Sequence, residues 1–375
     1  MNILVFTPGY PDSKKTDYPF VKQLVDEWAR QGHQCTVIAT YSITKNKGFC
    51  QFRTLEKKES GGSVTVLRPN VPSFSKRTFF GFSPTKFFHN AGIRFALKKV
   101  KDEQDVVYCH FWQCGPDGYS YAGPHKTPMI IATGESNISK MFQDTKHPFM
   151  ENVKGVVCVS SKNKDESINL GLTSIDKCGV FPNAINANLF KKLDKKECRE
   201  KLGLPLDAFI TIFVGSYKET KGPHRVSEAL NGINDGKLVH SIFVGFGDIK
   251  PSAKNMLFEG RLQHTDIPLY LNAADVFVLP TQAEGCCNAV IEAMACGLPI
   301  ISSNLPFNWD VLDDSNSIMV DPNNIDEIRT AIIKLRDDAD LRNRLSEGAL
   351  NRAKSLVIEE RAKSIIDFIC EKIKK

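Results

Sequence analysis

No stretch of the 375-residue sequence keeps the run of about 20 apolar residues that a membrane-spanning helix needs. The eleven cysteines include no C-x-x-C pair, which excludes a zinc ribbon and a thioredoxin-type motif. An odd number of them, spread through apolar runs as at Cys35, Cys109 and Cys158, reads as free thiols in a reducing cytosol. The turn after the first apolar run (residues 7–10, TPGY) holds one glycine, where a dinucleotide-binding turn wants three in G-x-G-x-x-G spacing. That weighs against an NAD or FAD enzyme. Internal repeats and low-complexity tracts are absent. Met1 leads straight into residues 2–6 (NILVF), so no signal peptide is expected. Strong charge is lacking too. A net +6 suggests an anionic partner but does not single out nucleic acid, and none is expected.

What is present is enough for two cores: 375 residues, 42% of them hydrophobic. Strand-like runs fall at residues 2–6, 35–40, 64–67, 105–109, 129–132, 156–160 and 178–181. Helical patterns lie between them, clearest at 20–31 and 162–170. Such alternation with near-continuous apolar strands predicts a parallel sheet covered on both faces. Residues 181–188 (FPNAINAN) have turn chemistry and read as a link. The alternation restarts at 210–215, 240–245, 255–258, 275–280, 299–302 and 318–320, and a last helix is expected near 358–373. The expected fold class is α/β, with two Rossmann-like domains and a cleft between them.

The chain is organised around residues 281–303 (TQAEGCCNAVIEAMACGLPIISS). An apolar strand precedes a polar turn, and a short helix begins near Asn288, a good N-cap type, with Ala289, Val290, Ala293 and Met294 inward. Gly297 is expected to end it in a left-handed C-cap. The N–H groups of Gly285, Cys286 and Cys287 and the helix N-terminus suit an anion. Glu284 and Glu292 suit hydroxyls, because carboxylates only accept hydrogen bonds. A ligand with phosphates at one end and hydroxyls at the other satisfies both, and a nucleotide sugar is such a ligand. The spacing by itself also fits a helix with one acid near its start and another in a loop.

The run EGCCNAVIEAMACGLPII resembles the signature of the retaining glycosyltransferases of family 4, which have the GT-B architecture. The resemblance covers nearly the whole chain and is strongest over residues 210–322. It implies that Glu292 holds the ribose, that Glu284 lies against the transferred sugar, and that Gly285–Cys287 hold the diphosphate. Asn288 falls in the same donor-binding run. In residues 213–222 (FVGSYKETKG), Gly215 and Lys221 match a further family pattern, with Lys221 as the cation facing the leaving diphosphate. Ser216 stands where the family has an arginine, and Lys218 and Arg225 are candidate substitutes. Gly245 in FVGFG and Arg261 in LFEGR fall at strand ends that line the base pocket. Gly9 takes the place of the family's loop glycine, although Thr16, Asp17 and Tyr18 replace the paired glycines further on. His110 stands where the family's histidine faces the donor sugar. Thr133 replaces another family histidine, with Glu135 near it.

The resemblance implies two domains, 1–182 for the acceptor and 183–357 for the donor, with the helix over 358–375 crossing back to the first. It implies no bound metal and no other cofactor, and because the family offers no agreed nucleophile, none is assigned. Asp338–Ala339–Asp340 has the D-x-D form of a metal motif but lies in a charged helical stretch, and reads as solvated surface. From Phe74 to Lys101 the chain interleaves phenylalanines with seven basic residues and no acid, as a surface resting on an anionic membrane would. The same stretch also fits a domain helix with its phenylalanines in the core. The expected protein is a cytosolic, peripheral hexosyltransferase using a UDP-, GDP- or ADP-sugar, with a glycan or lipid-linked acceptor. A nucleotide-sugar epimerase, a phosphorylase and an inactive binding scaffold are the alternatives.

Overall fold

The computed structural model describes residues 1–12, 17–74, 82–142 and 144–374. The chain folds as two units, Met1–Val159 with Asn163–Phe181 and Ala362–Lys375, and Ser160–Lys162 with Pro182–Arg361. The first contains, in chain order, β1 (Asn2–Phe6), α1 (Pro19–Arg30), β2 (Gln34–Ile38), β3 (Tyr41–Ser42), α2 (Ile43–Asn46), β4 (Arg53–Lys57), β5 (Ser63–Leu67) and β6 (Asn70–Val71). These are followed by α3 (Pro84–Leu97), β7 (Val106–His110), α4 (Gly115–His125), β8 (Met129–Thr133), β9 (Val153–Cys158), α5 (Ser161–Asn169) and β10 (Cys178–Val180). Its main sheet runs β10-β9-β8-β7-β1-β2-β5-β4. All pairs are parallel except β4–β5. β4 escapes a periodicity reading because it is an exposed edge strand, RTLEK, with a single apolar residue.

The second unit contains α6 (Lys195–Leu202), β11 (Ile210–Val214), α7 (Pro223–Asn231), β12 (His240–Val244), β13 (Met256–Gly260), α8 (Ile267–Ala273), β14 (Val276–Leu279), α9 (Asn288–Ala295), β15 (Ile300–Ser303), β16 (Ser317–Val320), α10 (Ile325–Asp337) and α11 (Ala339–Ala353). Its strands run β13-β12-β11-β14-β15-β16, all parallel. The apolar strands β11 and β14 are buried along their whole length, which requires cover on both faces. The last helix, α12 (Ile358–Ile373), starts in the second unit and belongs to the first from Ala362 onward. There Trp28 Nε1 donates to the Ala362 carbonyl at 3.0 Å, and the Phe368 ring meets Phe181 at 5.3 Å.

Strand order reverses once in each sheet, between β1 and β7 in the first and between β11 and β14 in the second. At such a switch point the loops leaving the carboxyl ends part to opposite sides and open a crevice for a ligand. The loops after β11 and β14 carry Gly215 to Lys221 and Glu284 to Cys287. Gly9 follows β1, and His110 closes β7.

Candidate active site

In the second unit, the loop after β11 is sewn to the loop after β14. The Gln282 amide donates to the Thr220 carbonyl at 2.7 Å, and Thr281 Oγ1 donates to it at 3.3 Å. Arg225 completes the seam, with Nη1 on the Glu219 carbonyl (2.9 Å) and Nη2 on the Pro280 carbonyl (3.0 Å). This guanidinium is therefore a buried brace and not the substitute for the missing arginine. Lys218 is exposed, as a solvated loop lysine is. The seam sets Lys221 and Glu284 side by side, where Nζ pairs with the Glu284 carboxylate and both side chains are mostly buried. Burial works to lower the Lys221 pKa, Lys218 adds to this, and Cys287 opposes it.

Helix α9 begins at Asn288, but its N-cap is Cys287, whose extended φ and ψ (−83°, 108°) place it just outside the helix. Asn288 is thus the first helical residue. The inward face is Val290, Ile291, Ala293, Met294 and Ala295, and Ala289 is only half-buried. Gly297 takes φ +79° beyond the last turn, with the Leu298 amide bonded to the Ala293 carbonyl, a Schellman closure. Among the described residues no acceptor takes the amide hydrogens of Gly285, Cys286 or Cys287. Asn183 holds Cys286 from behind, its Nδ2 donating to the Cys286 carbonyl at 3.0 Å. Burial pushes the Cys286 thiol up to about 11 and raises Cys287 as well. Both stay neutral at pH 7, so no thiolate cancels the positive potential of the amides.

The β11–β12–β13 edge is shaped by packing. Gly245 has no room for a side chain, because a Cβ would run into the Gly215 carbonyl and the Tyr217 ring. Gly215 is half-buried, with its amide on the Val244 carbonyl (2.9 Å), and the Ser216 carbonyl accepts from Lys218 N (2.9 Å). Tyr217 is fully buried, its hydroxyl donating to the Phe243 carbonyl at 2.9 Å. The Arg261 guanidinium lies over the exposed ring of Phe246, 4.7 Å from its centroid. Glu292, one turn into α9, accepts from His264 Nε2 at 3.0 Å, and that bond raises the His264 pKa. Sequence reasoning missed His264. The signal was there, since His264 follows the carboxyl end of β13 as His110 marks the end of β7.

In the first unit, Gly9 is required by contact, because a Cβ would touch the Tyr18 ring at 2.9 Å. Gly9, Tyr10, Arg68 and His89 line a cavity of about 320 Å³ beyond β1, β2 and β5. Thr16 lies outside the described residues. His110 is the last residue of β7 rather than the residue after it, and is buried between Phe20 and Phe111 (ring centroids 5.3 and 4.7 Å). Phe111 takes φ +87°, a strained conformation for a residue with a Cβ. Glu135 holds this corner by accepting from Trp112 N (3.1 Å), Thr133 Oγ1 (2.6 Å) and Gly134 N (2.9 Å), and burial raises its pKa. Glu135 is therefore engaged as a clamp on the chain. Asp338 of the D-x-D caps α11 through the Leu341 amide (2.8 Å).

Two doubly wound units, each with one reversal of strand order, have the GT-B fold. Residues 194–352, all within the second unit, match the family model described as glycosyl transferases group 1. The chain is 26% identical over 355 residues to the putative teichuronic acid biosynthesis glycosyltransferase TuaC of Bacillus subtilis, covering 89% of each chain. It is 28% identical over 323 residues to the UDP-Gal:alpha-D-GlcNAc-diphosphoundecaprenol alpha-1,3-galactosyltransferase of Escherichia coli, covering 79% of this chain and 82% of that one. Among solved structures it resembles Anabaena HepE in complex with UDP and glucose. That match has a TM-score of 0.71 at 16% identity, over 98% of this chain and 99% of that one.

Proposed function

We propose that this protein is a retaining glycosyltransferase of family 4, moving a sugar from a nucleotide diphosphate donor to an acceptor held by the first unit. The observation that carries the reading is the meeting of Lys221 and Glu284 beside the unbonded amides of Gly285–Cys287. Those amides and the α9 N-terminus would take the diphosphate. Lys221 would leave Glu284 for the phosphates, Glu284 would turn to the transferred sugar, and Glu292 would hold the ribose. Phe246 and Arg261 offer a flat surface at the base end. UDP is the first donor base to try, because the E. coli relative is named for UDP-Gal and the HepE complex contains UDP. No metal is assigned, so a chelator is expected to leave the rate unchanged.

The test is release of UDP from UDP-glucose or UDP-galactose by the purified protein, with analysis of the sugar product. A new glycosidic bond with retained configuration is expected, and an isomerised nucleotide sugar would make it an epimerase instead. Glu292→Ala is expected to weaken UDP binding at least about tenfold, since a charge-assisted hydrogen bond is worth about 1.5–3 kcal/mol. Calorimetry that finds the affinity unchanged in a folded variant would remove Glu292 from the site.

The acceptor is proposed to be lipid-linked, as a relative named for a diphosphoundecaprenol acceptor suggests. No helix among the described residues is long and apolar enough to cross a membrane. The support is on α3, whose buried residues are Gly92, Ile93 and Ala96, while Phe74, Phe82, Phe87, Phe88 and Phe95 are exposed. The phenylalanines of the described part are thus not core. Lys76, Arg77, Phe79 and Phe80 lie outside the described residues. Sedimentation with phosphatidylglycerol vesicles should show binding that weakens with salt, because each basic residue near the leaflet adds about 1 kcal/mol of screened attraction. Changing Lys98, Lys99 and Lys101 to glutamate should reduce it. Wild-type protein that ignores such vesicles at low salt would point to a soluble acceptor.

A further inference from the structure

We propose that His264 is the positioning residue for Glu292, fixing the carboxylate that takes the ribose hydroxyls of the donor. This rests on the donor reading above. A glutamate on a helix has three soft torsions, and one at a ligand site must be held before the ligand arrives to contribute its full selectivity. Glu292 sits on α9 with its side chain 12% exposed, and its Oε1 accepts from His264 Nε2 at 3.0 Å. A carboxylate has no hydrogen to give, so Nε2 carries the proton of this bond. The imidazole is itself held. It lies on the loop between β13 and α8, and the Phe190 ring meets it edge-on at 5.1 Å between centroids. Phe190 is fully buried, so the histidine rests on a fixed wall. Its outer side is open, with 47% of the side chain exposed. The bond uses one lone pair of Oε1 and leaves Oε2 free for a diol. It also sets a donor against the carboxylate, as second-layer groups that orient a binding residue do.

The loss of this support should appear in the ribose hydroxyls and not in the rest of the nucleotide. Calorimetry would compare the tightest binder among UDP, GDP and ADP with its 2′,3′-dideoxy analogue. Wild-type protein is expected to prefer the ribonucleotide at least tenfold, and Glu292→Ala to lose that preference. His264→Ala should cut the preference at least threefold while binding the dideoxy analogue as wild type does. His264→Gln, whose amide N–H can reach the carboxylate, should keep most of it. His264→Asn, with a shorter amide, serves in place of the alanine variant if that one does not fold. Full preference in His264→Ala or His264→Asn, or equal loss for both ligands, overturns the positioning role and leaves the donor site standing. Binding of none of the three nucleotides by wild type overturns the donor reading, and this role with it.

Discussion

Replacing Lys221 by alanine is expected to lower kcat by about 10²–10³-fold, the loss that follows removal of one preorganised group facing developing charge. The leaving group is a diphosphate, and its negative charge grows as the bond to the sugar breaks. A cation that meets it only at that stage lowers the barrier without tightening the ground state. The proposed role suits Lys221 because its ammonium is already desolvated, its side chain 20% exposed, beside the Glu284 carboxylate. Affinity for the bare nucleoside diphosphate should therefore fall much less than kcat. Lys221→Arg keeps the charge but changes its shape, and should recover only part of the rate. Glu284→Ala shares the pair, so the double variant should lose less than the sum of the two single losses. If Lys221→Ala keeps its kcat, or if kcat and affinity fall equally, Lys221 is a ground-state binder or a structural residue.

How much of this was written in the residues depends on the kind of contact. The buried strands were legible because β1, β7, β11 and β14 bury both faces and so read as unbroken apolar runs. β4 was not, because an exposed edge strand pairs through its backbone and needs no apolar pattern. Glu284, Glu292 and the glycine turn were visible as a spaced motif. The Lys221–Glu284 pair was not, because it depends on the Thr220 carbonyl being caught by Thr281 and Gln282 from a strand end some sixty residues later (|i−j| = 61 for Thr281–Thr220). Arg225 illustrates the opposite error. Its charge and position fitted an anion partner, yet carbonyls of Glu219 and Pro280 already occupy it. The partner of His264 was hidden for the same reason that Arg225 misled, since a side chain's partner is set by tertiary structure. The N-cap differed by one residue, because Cys287 holds the extended φ and ψ outside the helix and Asn288 is already helical.

The largest loss of stability is expected at Asp275, a residue remote from any proposed chemistry. Its carboxylate is buried just before β14 and accepts from Arg199 Nη2 at 2.7 Å, Ile210 N at 2.8 Å and Lys195 Nζ at 2.6 Å. Arg199 is also buried, with Nε on the Ala273 carbonyl at 2.8 Å and Nη1 on the Leu206 carbonyl at 2.6 Å. The two residues thus clamp α6 to the amino ends of β11 and β14, the strands that flank the switch point. Asp275→Ala would leave a buried guanidinium without its counter-charge and the Ile210 amide without its acceptor. Removing one partner of a buried pair costs about 3–5 kcal/mol, a large share of a stability of about 5–15 kcal/mol. Lys195 adds little, because its side chain is 46% exposed and such pairs are worth about 0–1 kcal/mol. Lys195→Ala is therefore the control that should melt close to wild type. Asp275→Leu combined with Arg199→Met should recover much of the loss, because apolar residues of similar volume can replace a buried pair at little cost. Thermal melts followed by calorimetry would resolve the second unit's transition, which Asp275→Ala should lower while leaving the first unit's in place. A shift no larger than that of Lys195→Ala would mean that water reaches Arg199, and that the clamp contributes no more than an exposed pair.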